Sequence, residues 1–244
     1  MRQHLLDLET ADGAMDTYIA APDDDVSRPA ILFFMDGLGP RPVLHDMARR
    51  LAAHGYRVLL PNLYHRGGRA DGFDLVNDHD RMYALFASIT PDTLAMDIDA
   101  LCDHLDQQQP RRARRIGCVG YCLGGRVALT AAARHPERVV AAASIHGAQL
   151  AVEELPNSPH HNAAAMRGKI YVAVAEEDPW LTPGETERLD AALAGAQRDY
   201  EIELYPGVAH GFAVPGLPVF NEAAAQRHWD RILRLFETTL KDNC

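Results

Sequence analysis

The sequence predicts an α/β fold, a mostly parallel central sheet flanked by helices on both faces. Short apolar runs of strand length alternate with amphipathic helical segments along the chain. Gly120-Tyr121-Cys122-Leu123-Gly124 places a cysteine between two glycines, after an apolar run and before an alanine-rich helix. That pattern is a nucleophile on a sharp strand-to-helix turn. Asp178 and His210 each follow a later strand, in the order nucleophile, acid, base that such folds use.

Composition narrows the class. A chain of 244 residues fits one domain, 1–244, with 47% hydrophobic and 24% charged residues. No apolar run approaches the about 20 residues of a membrane span, and Met1-Arg2-Gln3-His4-Leu5-Leu6-Asp7 is no secretory segment. The net charge of −10 argues against nucleic acid as a partner. Cys118 and Cys122 lie on either side of a turn, Cys102 sits in a helical segment and Cys244 is terminal, so reduced thiols and a cytoplasmic setting are expected. The Arg111, Arg112, Arg114, Arg115 cluster reads as a solvated connector.

In order, residues 4–10 and 14–20 alternate about Asp12-Gly13, which predicts an N-terminal hairpin. Ala30–Met35 is a continuous apolar run, the mark of a strand covered on both faces. Leu44, Met47, Ala48 and Leu51 keep helical spacing over 42–54, Gly55 stops that helix, and Tyr56–Leu60 is the next strand. Residues 61–90 are irregular, with a short helix near 78–87. Thr90-Pro91 opens a helix carrying Leu94, Ile98, Leu101 and Leu105 on one face. Beyond the cysteine turn, strands are expected at 139–145, 169–175 and 200–205, and helices at 183–195 and 220–240.

At the turn, Cys122 sits at a helix N-terminus, which favours a thiolate, and the N–H of Leu123 points where an oxyanion would form. The alternative is a small buried hydrophobe, the state of most free cysteines. Asp178, with Glu177 as the other candidate acid, and His210 complete the set Cys122, Asp178, His210. No metal site is expected, because His65 and His160-His161 lack a spaced carboxylate or cysteine in sequence. Nor does the chemistry require a cofactor.

Gly-Tyr-Cys-Leu-Gly-Gly at 120–125, the Asp178 loop and Ala-His-Gly-Phe at 209–212 together resemble the dienelactone hydrolase family. The resemblance implies a minimal α/β-hydrolase fold with no large cap domain, and Cys122, Asp178 and His210 as the triad. It implies an oxyanion hole of the Leu123 and Gly37 N–H groups, and Asp36, where the prototypes have glutamate, as a gate on the thiol. Val214 stands where they place an arginine that grips a substrate carboxylate, and Arg81 is the match for their second. The expected activity is hydrolysis of a small ester or lactone through a thioester, by a monomer or homodimer. Substrate would be lined by Leu38, Tyr64, Arg81, Tyr121, His146, Trp180, Phe212 and Val214. The alternatives are a catalytically silent binding protein on the same fold and a thiol redox protein using Cys122 with Cys118.

Overall fold

The N-terminal alternation folds as a hairpin, β1 (Arg2–Thr10) antiparallel to β2 (Gly13–Ala21), with Thr10 opposite Gly13. Its loop is Ala11-Asp12, one residue earlier than the sequence suggests. Gly13, at φ +136°, opens the second strand instead of closing the turn. The structure, a computed structural model, describes residues 1–24, 26–72, 74, 77–108 and 115–241. The chain folds as two compact units, Met1–Arg114 and Arg115–Cys244.

In the first unit the strand order is β1, β2, β4 (Arg57–Pro61), β3 (Ala30–Phe34). β4 runs antiparallel to β2 and parallel to β3. All five residues of β3 are buried, as its unbroken apolar run requires. Between β3 and β4 lies α1 (Pro42–Ala53), started by a proline in its first turn and buried through Leu44, Met47, Ala48 and Leu51. After β4 the backbone is tied down by side chains: Asp16 accepts from Asn62 Nδ2 (2.9 Å) and from the Ala70 N–H (3.0 Å). Two single 3₁₀ turns, His65–Gly67 and Ala70–Gly72, precede α2 (His79–Ser88), which is N-capped by Asp78. α3 (Pro91–Gln108) buries Leu94, Ile98, Leu101 and Leu105. Arg111, Arg112 and Arg114 lie outside the described residues.

The second unit carries β5 (Ile116–Tyr121), β6 (Val139–Ile145), β7 (Lys169–Glu177) and β8 (Tyr200–Ala209), paired in that order and all parallel. β5 is buried along its whole length, and α4 (Leu123–Arg134) follows it directly. α5 (Glu185–Gly195) joins β7 to β8. α6 (Glu222–Phe236), capped by the Asn221 side chain on the Ala224 N–H, buries Trp229, Ile232 and Phe236. Each such side chain is worth about 1.5–3 kcal/mol of burial.

A polar clamp fastens α6 to β8. Arg227 and Arg231 both donate to the buried Glu203 carboxylate, Nε to oxygen at 2.9 and 3.0 Å. Tyr171 on β7 donates to it at 2.6 Å and lies 2.8 Å from the Tyr205 hydroxyl. Burial works against the charge on Glu203, but Arg231, Tyr171 and Arg227 together hold its carboxyl below the ordinary range.

Candidate active site

The turn after β5 is built from glycine. A Cβ on Gly120 would stand 1.8 Å from the Gly124 carbonyl oxygen, so the strand and helix of the elbow approach too closely for any other residue. Cys122 pays for this approach with φ 54°, ψ −118°, a strained geometry for a residue with a side chain. Its N–H donates to the Ile145 carbonyl (3.1 Å) and its carbonyl accepts from Gly125 (3.0 Å), which leaves the thiol projecting from the N-cap of α4. Leu123 is the first residue of that helix, so its N–H has no intrahelical acceptor.

His210 follows β8, and its Nδ1 lies 2.7 Å from Asp178 Oδ2. Asp178 follows β7; its other oxygen accepts from the Trp180 N–H at 2.9 Å, which fixes the carboxylate in its loop. Both side chains are sequestered, Asp178 at 1% exposure and His210 at 12%. Glu177 is exposed. Thus Asp178, of the two adjacent acids, meets the imidazole.

Burial is the largest single influence on His210 and disfavours its cation. The bond from Asp178 and then the Cys122 thiol outweigh it and push the imidazole up to about 10. Nε2 is buried and makes no hydrogen bond among the described residues, so the influence of Cys122 reaches it without a bond of full hydrogen-bond geometry. This pattern is that of an imidazolium poised beside a sulfur.

The residues expected to line substrate divide sharply. Trp180 is 49% exposed, with its ring 6.3 Å from that of His210. Tyr121, His146, Phe212 and Val214 present 0–1% of their surface, so the expectation that they form a substrate wall is corrected: they act by packing. Phe212 stacks on Tyr205 at 4.9 Å, and the Tyr121 hydroxyl lies 3.1 Å from His228 Nε2 on α6. Tyr205 and His228 were not legible as site supports, because only β8 and α6 folded together bring them there.

In the first unit, Asp36 is not a free carboxylate. Arg41 grips both of its oxygens, at 2.5 and 2.7 Å, and the Leu38 N–H donates to one at 3.0 Å. These bonds make Asp36 a clasp that closes loop 36–41. Gly37 offers its carbonyl to the Tyr64 hydroxyl (3.0 Å), and Tyr64 is buried. Arg81 is exposed, its guanidinium 3.4 Å from the Gly67 carbonyl.

His65 has a carboxylate neighbour after all: Asp97 Oδ1 lies 3.1 Å from its Nε2. Asp12, His65 and Asp97 bring ligand-type atoms within 4.8 Å of one another. Arg66 donates to both carboxylates, with distances of 2.6–2.9 Å. A cation there would have to displace a guanidinium that already neutralises the acids, so the donor set suits an ion pair better than a metal. Among the described residues, no helix is long and apolar enough to cross a membrane.

Parallel strands wrapped by helices, with a sharp glycine-flanked turn from β5 into α4, define an α/β-hydrolase fold, and the solved structures agree. A Klebsiella pneumoniae protein assigned to the dienelactone hydrolases superposes with a TM-score of 0.85 at 24% identity, covering 96% of this chain and 98% of its own. The acylaminoacyl peptidase of Pyrococcus horikoshii gives 0.70 at 19%, covering 98% of this chain and 42% of its own; these likenesses speak to fold. The profile of the dienelactone hydrolase family matches residues 15–240. Carboxymethylenebutenolidase of Rhodococcus opacus is 32% identical over 230 residues, covering 91% of this chain and 86% of the relative. The chain belongs to the dienelactone hydrolase family.

Proposed function

We infer that this protein hydrolyses a carboxylic ester or lactone, with Cys122 as nucleophile, His210 as base and acid, and Asp178 as its orienter. The observation that carries the reading is the 2.7 Å approach of Asp178 to His210, on an imidazole pushed up to about 10 with Cys122 among the causes. Family membership supports the reaction class.

The thiolate of Cys122 attacks the acyl carbon, and the carbonyl electrons move onto oxygen, held by the Leu123 N–H. One such donor is typically worth about 2.7–4 kcal/mol in the transition state. The tetrahedral intermediate collapses, the C–O bond breaks, and the His210 imidazolium gives its proton to the departing alkoxide. A thioester on Cys122 remains. Neutral His210 then takes a proton from water, the hydroxide attacks the thioester, and carboxylate is released with the thiolate restored. Asp178 keeps Nδ1 protonated and Nε2 facing the sulfur throughout.

The substrate's character follows from the loop after the base. Gly211–Phe220 contains no charged residue, and Val219 and Phe220 are exposed along with Trp180. An apolar acyl or aryl group suits that surface, whereas a carboxylate finds no cation in that loop. The relative named carboxymethylenebutenolidase supports lactones as the other candidate class. A nitrophenyl butyrate should leave a butyryl adduct on Cys122 and be turned over; Cys122→Ala should do neither. Full turnover by that variant would overturn the assignment.

A further inference from the structure

His146 bears two penalties that nothing in the proposed chemistry explains. It follows β6 at φ 38°, in the left-handed region that residues with a side chain avoid. Both of its ring nitrogens are buried without a hydrogen-bond partner among the described residues, although the large majority of buried polar side-chain atoms are paired. The surrounding backbone fixes it there. Its N–H donates to the Ala173 carbonyl at 2.8 Å, and the chain then turns so tightly that a Cβ on Gly147 would come within 2.2 Å of Ser144 Oγ.

What this placement gains is a ring against a ring. The His146 imidazole lies 5.0 Å from that of His210 at 64°, with Phe212 at 5.5 Å and Tyr121 at 5.8 Å completing its surroundings. His210 needs such a neighbour. Its bond to Asp178 fixes one atom, but rotation of an imidazole about its last side-chain torsion is broad, so one hydrogen bond leaves the ring plane loosely set. Burial first, and then the charges of His210 and His228, keep His146 neutral, so it crowds the imidazolium without repelling it.

We propose that His146 is a positioning residue: its ring, set by the left-handed turn after β6, packs edge to face on His210 and holds that imidazole in the plane that addresses Cys122. The nitrogens are incidental and the ring is the working part. This rests on the triad reading for its catalytic consequence, but the positioning itself does not.

Two variants separate ring from nitrogens. His146→Asn deletes the ring while keeping polar atoms and the residue type that best tolerates a left-handed backbone. His146→Phe keeps an aromatic ring and removes the unpaired nitrogens. The resting enzyme should show a downfield proton resonance from the His210–Asp178 hydrogen bond. That signal should persist in His146→Phe and broaden or vanish in His146→Asn, with unfolding curves confirming that each is folded. For nitrophenyl butyrate, His146→Asn should lower kcat about 10- to 100-fold with KM little changed, and His146→Phe should stay near the wild type.

An intact resonance and unaltered kcat in folded His146→Asn would overturn the proposal. So would equal damage by both variants, which would give the role to the nitrogens. Should Cys122→Ala retain full activity, the nucleophile assignment fails, while the proton resonance, read without substrate, still judges the positioning.

Discussion

Asp178→Asn isolates the electrostatics of the site with little change of shape. The Oδ1 atom that accepts from the Trp180 N–H can remain a carbonyl, so the loop keeps its anchor. What changes is the group 2.7 Å from His210 Nδ1. His210 stands at about 10 against an ordinary 6.5, a net preference of about 5 kcal/mol for the imidazolium, and Asp178 is the largest of the contributions that favour it. With a neutral amide there, the largest influence favouring the imidazolium is lost, and Nδ1 is free to become the unprotonated nitrogen. Turnover of nitrophenyl butyrate should fall by about 10³–10⁴-fold with a smaller change in KM. Iodoacetamide labelling of Cys122, followed over a range of pH by mass spectrometry of its peptide, should slow as the neighbouring imidazolium is lost; Cys102 and Cys118 are buried and serve as internal controls. If the labelling profile superimposes on that of the wild type, or if Glu177→Gln is the damaging change, the orienter is misassigned.

The raised His210 also predicts a pH dependence of stability. Because its pKa is higher folded than unfolded, its contribution is complete below about 6.5 and is lost as pH rises through about 10. Urea unfolding should therefore show stability declining across that window, with a shallower decline in His210→Asn; parallel curves would contradict the ion pair. Val214→Arg, the substitution that would supply the family's carboxylate-gripping arginine, places a guanidinium at a position with 0% exposure. It should cost several kcal/mol in unfolding free energy and bring no advantage on carboxylated lactones; a stable variant with a lowered KM for such a lactone would show that position 214 opens to the site.

Local chemistry made the framework legible. The elbow announces itself through Gly120, whose absent side chain is a steric necessity against the Gly124 carbonyl, and the buried strands through unbroken apolar runs such as 30–34. β8 ran past its expected end at Tyr205 to Ala209 because Pro206-Gly207 reads as a turn, whereas proline is tolerated on the last strand of a sheet, where its missing N–H faces no partner. The rest depends on residues far apart in sequence. His65 meets Asp97, 32 residues on, only after α3 has packed, and even Arg41, five residues from Asp36, is marked as its clasp by no pattern in the sequence. Burial misled most: Tyr121, His146, Phe212 and Val214 adjoin or follow strand ends where substrate is sought, yet their side chains turn inward.

The clamp of Arg227 and Arg231 on Glu203 bears on when the protein becomes reactive. A chain emerging from the ribosome presents Cys122 first, Asp178 just after β7, His210 just after β8, and the two arginines that secure β8 only with the last helix. Until then Cys122 lacks the folded His210 beside which the proposed chemistry would run. On the triad reading, the order of synthesis therefore sets the nucleophile in place before its base, and the site is complete only when the last helix has docked on β8.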